Sequence, residues 1–166
     1  MARAALGLGS NLGDRRAHLA AAVRRLQDAG RIVAVSSLYE TAPIGGPAQG
    51  PFLNAVAVVD TSLPPRRLLS LCQAAEREAG RRRLVHWGPR SLDVDLLLYE
   101  GVLMDERGLR IPHPRLALRR FALEPLVAAW PEAALPDGTT AASLLAGVAE
   151  QGVEVVAGPG WWEQVG

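Results

Sequence analysis

The order in which strand-like and helix-like stretches follow one another constrains this chain more than any single motif. Arg3 to Leu8 is a short apolar run that reads as a strand, and Gly9-Ser10-Asn11-Leu12-Gly13-Asp14 reads as a turn. From Arg15, the apolar residues Leu19, Val23 and Leu26 recur at helical spacing, with arginines on the opposite face. Gly30 is placed to end that helix, and Ile32 to Tyr39 is a β-branched strand. An irregular Gly/Pro loop from Thr41 to Pro51 leads to a second long strand, Phe52 to Asp60. Thr61-Ser62-Leu63-Pro64-Pro65 then opens an amphipathic helix, Arg66 to Ala79, which Gly80 stops. Beyond an arginine-rich loop, Arg81 to Arg90, Ser91 to Tyr99 is again a strand. Weaker strands are expected near Val102 and at Leu109 to Ile111, helices around Leu118 to Ala129 and Thr140 to Glu150, and a last strand at Val153 to Val156.

Two β-α-β units followed by grouped helices imply an α+β fold, a ferredoxin-like sheet with helices packed on it. The 166 residues contain neither a repeat nor a linker, so one domain over residues 1–166 is expected. Apolar residues at 49% and charged residues at 21% exclude a disordered or low-complexity chain. No apolar run is long enough to span a membrane, and the N-terminus turns glycine-rich too early for a signal peptide. A single cysteine, Cys72, excludes an internal disulfide and a thiolate zinc site, so the cytoplasm is the expected compartment. All 18 basic residues are arginine, which removes Schiff-base chemistry and a phosphate-loop lysine. A net charge of +1 argues against a nucleic-acid-binding surface, so electrostatic work falls to local clusters.

The strongest local signal is Trp87-Gly88-Pro89-Arg90-Ser91-Leu92-Asp93-Val94-Asp95. Strand parity sends Asp93 and Asp95 to one side and Val94, Leu96 and Leu98 to the other. Two such charges about 6 Å apart repel by roughly 2–3 kcal/mol at an effective dielectric near 20. Water, a raised pKa or a divalent cation can each relieve that repulsion. Hard oxygen ligands on a rigid element suit Mg²⁺, and the nearby Arg81, Arg82, Arg83 and Arg90 offer guanidinium forks to phosphate oxygens. Together they favour a nucleotide site over two solvated surface aspartates.

Asn54 stands mid-strand, where amides are depleted, and shares a face with Phe52. A carboxamide beside an aromatic ring suits the mixed donor–acceptor edge of a heterocycle. Gly7, Gly9 and Gly13 miss the dinucleotide fingerprint by one residue, and the second strand ends at Tyr39-Glu40, about thirty residues after Gly9 where that fingerprint expects its acidic residue about twenty on, so a glycine-rich turn with Asn11 and Asp14 capping the helix accounts for them. His113 is held between two prolines, and no histidine pair has zinc spacing. Cys72 reads as a small core residue, and Trp161-Trp162 as either a packing patch or a partner contact.

These pieces, in this order, carry a resemblance. Gly9-Ser10-Asn11-Leu12-Gly13, Val35-Ser36-Ser37-Leu38-Tyr39-Glu40-Thr41, Phe52-Leu53-Asn54-Ala55, the Trp87–Asp95 block and Ile111-Pro112-His113-Pro114-Arg115 make the chain similar to the 6-hydroxymethyl-7,8-dihydropterin pyrophosphokinases of folate biosynthesis, over residues 3 to 157. The resemblance implies a three-layer α/β/α fold with a mostly antiparallel sheet. It implies transfer of the pyrophosphoryl group of ATP to the pterin hydroxymethyl group, releasing AMP. Asp93 and Asp95 would hold two Mg²⁺ ions. Thr41, Pro43 and Asn54 would bind the pterin, with Phe52 and Phe121 flanking the ring. Gln73, Glu76, Arg83, Trp87, Ile111, His113 and Arg119 would line the ATP side. Arg81 and Arg90 would act in catalysis from a loop closing over the triphosphate. The implied enzyme is a cytoplasmic monomer that meets small-molecule substrates and neither nucleic acid nor membrane. Three departures stand out. The segment between Gly80 and Trp87 is one residue short, Phe52 replaces a common tyrosine, and Pro114 follows His113 where a tyrosine can occur. Two other readings on the same sheet weigh less. A non-catalytic ligand sensor would not need Asn54, both aspartates and Arg90 together, and an RNA-binding sheet would need exposed aromatic pairs.

Overall fold

In a computed structural model of the chain, residues 1–41, 50–80 and 91–163 are described. Among the described residues, eight strands and four α-helices follow in the order β1 (Ala2–Ser10), α1 (Arg15–Leu26), β2 (Gly30–Val35), β3 (Leu38–Thr41), β4 (Phe52–Thr61), α2 (Pro65–Glu78), β5 (Asp93–Tyr99), β6 (Met104–Glu106), β7 (Leu109–Ile111), α3 (Arg120–Ala129), α4 (Ala141–Ala146) and β8 (Glu154–Ala157). The main sheet runs β5-β1-β4-β3-β8, with β2 also paired to β4 and every pairing antiparallel. It is the expected α+β arrangement, with one β-α-β unit formed by β1, α1 and β2 and a second by β4, α2 and β5.

Alternation along the central strands builds a core on each face. Leu53, Ala55, Ala57 and Val59 of β4 join Ala4, Leu6 and Leu8 of β1 under Leu19, Val23 and Leu26 of α1 and Leu68 and Cys72 of α2. Val56 and Val58 face the other way, with Ala5, against Leu123 and Leu126 of α3 and Ala141 of α4. Three layers result. Cys72 is fully buried, and burial, with Glu76 and Asp95 adding, pushes its thiol up to about 12. It is the small core residue its pattern implied. Among the described residues, no helix is long and apolar enough to cross a membrane.

Four expectations shift. The strand foreseen from Ile32 to Tyr39 is broken into β2 and β3 at Ser36-Ser37. There the Ser36 hydroxyl enters the ladder, accepting from Val56 N at 2.9 Å and donating to Ser37 O at 2.8 Å. Gly30 does not cap α1. It opens β2 with φ +153°, where any Cβ would overlap the Asp60 carbonyl oxygen. Leu98 does not follow Val94 and Leu96, because the β1–β5 register slips between Ala5 and Leu6. Leu97 and Leu98 therefore both enter the α3-side core. The weak strand near Val102 lies instead at Met104–Glu106, paired with β7 as a hairpin.

The C-terminal segment was not foreseen as structure. A 3-10 turn, Pro159–Trp162, carries Trp161 into the α1-side core at 1% exposure. The indole N–H donates to Ser36 O at 2.9 Å, at the strand break itself. Arg16 and Arg24 of α1 donate to the carbonyls of Trp161 and Trp162 at 3.2 and 3.3 Å. Trp161 is thus a packing residue. Its replacement by Ala should destabilise the protein by about 3–5 kcal/mol, read as a lowered midpoint in urea unfolding, while Trp162→Ala should cost clearly less.

Candidate active site

At one end of the sheet the antiparallel register sets Asp93 opposite Gly9, Gly9 opposite Asn54, and Asn54 opposite Tyr39. Directly opposed residues share a face, and this face is the one that α3 covers further down the sheet. One step toward the α3-side core, Asp95 lies opposite Gly7, and one step the other way Thr41 lies opposite Phe52. Neighbouring strands lie about 4.8 Å apart, so roughly 10 Å separates the backbone of Asp93 from that of Asn54. Between them β1 presents no side chain. A Cβ on Gly9 would stand 3.3 Å from Asn54 Oδ1 and 3.8 Å from Phe52 Cδ1. The result is a bare-backbone trench with carboxylates along one wall and an amide and a ring along the other.

Each wall is held firmly. Asn54 and Thr41 are both buried, and Asn54 Nδ2 donates to Thr41 Oγ1 at 2.7 Å. Tyr39 lies buried beside them, its phenol pushed upward by burial and by Glu124 of α3. Asp93 and Asp95 are half-buried on β5, the outermost strand. Two contacts brace the outer edge of that strand. Val94 N donates to Glu76 Oε2 at 2.9 Å, and His113 N donates to Leu97 O at 2.9 Å.

The second contact brings His113 to the carboxylate wall. Its Nδ1 accepts from Arg115 N at 3.2 Å, which leaves Nε2–H as the donor of the neutral ring. Burial, then Arg119, hold the imidazole below its ordinary pKa, with Arg115 adding and Asp93 opposing. The Arg119 guanidinium stands 5.3 Å from the centre of the Phe121 ring, at the start of α3. Gln73 is exposed on α2, one turn before the buried Glu76. Ile111 does not offer its side chain, which packs in the α1-side core at 1% exposure. Pro43, Arg81, Arg83, Trp87 and Arg90 lie outside the described residues.

The described residues hold no cluster of three or more His, Cys, Asp or Glu able to enclose a metal alone. Two aspartates on a rigid strand instead fit a hard cation that keeps much of its shell for water and phosphate oxygens.

The family model for 7,8-dihydro-6-hydroxymethylpterin-pyrophosphokinase (HPPK) matches residues 5–131. The chain belongs to the HPPK family. It is 43% identical over 159 residues to the 2-amino-4-hydroxy-6-hydroxymethyldihydropteridine pyrophosphokinase of Pseudomonas aeruginosa, covering 94% of this chain and 98% of that protein. The enzyme of the same name from Bacillus subtilis is 46% identical over 123 residues, 73% of this chain and 74% of that one. Among solved structures, an HPPK-DHPS in complex with substrates superposes with a TM-score of 0.71 at 14% identity, and wild-type Plasmodium falciparum HPPK-DHPS with 0.66 at 17%. They cover 90% and 88% of this chain, which spans only 43% and 44% of theirs, and they support the fold.

Gly7, Gly9 and Tyr39 were missed as site residues. Gly9 is not a turn residue: β1 runs past the expected end at Leu8 to Ser10, and Asp14 of the two expected caps holds α1, accepting from Ala17 N. Asn11 Nδ2 donates instead to Gly50 O at 3.2 Å, tying the end of β1 to the entry of β4. Two glycines at alternate positions of an apolar strand were the available sign, since they mark a face that something else must approach.

His113 supplies a test by pH. Its folded-state pKa lies below the ordinary 6.5, so an unfolded chain takes up this proton first as pH falls. The stability it contributes is complete above about pH 6.5 and is lost as pH drops through the folded value. NMR titration should show His113 protonating below the ordinary imidazole value of about 6.5, and His113→Gln should flatten the fall in unfolding free energy between about pH 7 and 5.

Proposed function

We propose that this chain catalyses transfer of the β,γ-pyrophosphoryl group of ATP to the hydroxymethyl group of 6-hydroxymethyl-7,8-dihydropterin, as a Mg²⁺-dependent monomer of one domain in the cytoplasm. The observation that carries the proposal is the trench itself, with two carboxylates facing an amide across a floor without side chains. A flat heterocycle fits the Asn54 wall, where Asn54 and Thr41 supply polar atoms and Phe52 and Phe121 supply rings. Its hydroxymethyl arm then lies over Gly9 and reaches the carboxylate wall, a matter of positioning.

Asp93 and Asp95 would hold two Mg²⁺ ions, which when bound neutralise charge on the phosphate oxygens and acidify the acceptor hydroxyl. The acceptor oxygen forms a bond to the β-phosphorus. The bond from that phosphorus to the α–β bridging oxygen breaks, AMP leaves with that oxygen, and the hydroxyl proton passes to solvent. Neutral His113 donates from Nε2 to a phosphate oxygen, and Arg119 adds fixed positive charge beside it. Gln73 and Glu76 face the ATP side from α2, and Ile111 offers its backbone. Arg81, Arg83, Arg90, Trp87 and Pro43 enter the proposal from the sequence alone.

Chromatography of a reaction with ATP, the pterin and Mg²⁺ tests the chemistry. AMP should appear in step with pterin diphosphate and vanish on chelation, and Asp95→Ala should remove turnover by a factor of about 10³ or more with the fold intact. ADP as the nucleotide product would mean ordinary phosphoryl transfer. The trench has its own test in Gly9→Val. By filling the floor it should raise KM for the pterin at least tenfold, while ATP-analogue binding measured by calorimetry changes little.

A further inference from the structure

Glu76 has a task that its place on the ATP side does not explain. It is 7% exposed on α2, among residues that pack in the α1-side core. A carboxylate there is costly unless it is hydrogen-bonded. The bond it makes, 2.9 Å from Val94 N to Oε2, reaches the residue between the two aspartates. Because β5 is the edge of the sheet, the Val94 amide points away from β1 toward α2. Asp93 and Asp95 on either side are set opposite Gly9 and Gly7. The backbone segment carrying both carboxylates is thereby gripped from both edges, by β1 on one and by a charged acceptor on the other.

We propose that Glu76 is a positioning residue for the carboxylate pair. Acting through the Val94 amide, it fixes the strand so that Asp93 and Asp95 keep the spacing and orientation a divalent cation needs. This rests on the reading of the pair as a cation site. Outer partners of this kind govern metal affinity by orienting the ligands, and their loss typically weakens binding by about 10–100-fold. The acceptor oxygen, not the charge, is what the role requires, so Glu76→Gln retains it and Glu76→Leu removes it.

Mn²⁺ is the probe, its free concentration followed by electron paramagnetic resonance with a non-hydrolysable ATP analogue present. Amide exchange at Val94 is followed by NMR in the same proteins. Glu76→Gln should keep Val94 protected and bind Mn²⁺ within about threefold of the parent protein. Glu76→Leu should lose that protection, bind Mn²⁺ at least about tenfold more weakly and lose kcat, with KM for the pterin little changed. Unchanged Mn²⁺ affinity in Glu76→Leu with Val94 exposed would overturn the proposal. So would a tenfold loss in Glu76→Gln with Val94 still protected, a result that needs no other variant to fold. Asp95→Ala separates the two layers. If it too binds Mn²⁺ normally, the cation reading falls and the proposal with it; if it alone loses Mn²⁺, only the role of Glu76 fails.

Discussion

Strand β4 is the constraint on which the rest of the molecule hangs. Nine of its ten residues, Leu53 to Thr61, pair with β1 on one edge, and the other edge pairs with β2 and then β3. Buried on both faces, it has no solvent side to absorb an error of register, since a slip of one residue would exchange its two apolar sets. The small residues Ala55 and Ala57 let α1 and α2 approach one face, while Val56 and Val58 fill the other. The same parity that packs Val56 and Val58 under α3 brings Asn54 out beyond that core on the same face. The pterin wall of the proposed site is therefore the continuation of a core face past the helix that covers it.

The opposite wall depends on a different economy. An edge strand carries unpaired amides and carbonyls that attract other strands unless they are engaged. In β5 two of those groups are engaged, the Val94 amide by Glu76 and the Leu97 carbonyl by the His113 amide. Both engagements bear on the site. One steadies the strand between the aspartates, and the other brings a half-buried imidazole within electrostatic reach of Asp93. The slip of register at Leu97 belongs to the same arrangement. It ends the alternation that exposes Asp93 and Asp95, and beyond it Leu97 and Leu98 both turn into the core. Sheet edges and bulges recur at functional sites because they re-aim side chains without altering the central strands.

What could be read from residues alone was what depends on neighbours in the chain. Parity placed Asp93 with Asp95 and Phe52 with Asn54, and Pro64-Pro65 and Gly80 bounded α2 within a residue or so. The misses share one cause, a partner distant in sequence. Ser36 breaks a strand because Val56 and Trp161 meet it there, 20 and 125 residues away. Leu97 is skipped where the β1–β5 register slips, and Gly30 is required by the Asp60 carbonyl. Nothing local in Trp161 separates a core plug from an exposed patch; only the two arginines of α1 and the gap at Ser36 decide it.

Gly9 illustrates the limit most sharply, because its meaning is the absence of a side chain. In a strand interior glycine weakens packing and loses more backbone entropy than any other residue. β1 carries that cost twice, at Gly7 and Gly9, while Ala4, Leu6 and Leu8 pack in one core and Ala5 in the other. At Gly7 a Cβ would stand 3.2 Å from the Leu97 side chain, so packing itself demands the glycine. At Gly9 the crowding would fall on Asn54 Oδ1 and the Phe52 ring, groups that face the trench and not a core. One glycine therefore serves the fold, by admitting the bulged Leu97. The other leaves room for something the chain does not itself supply, and it lies midway between the two walls that a substrate must join.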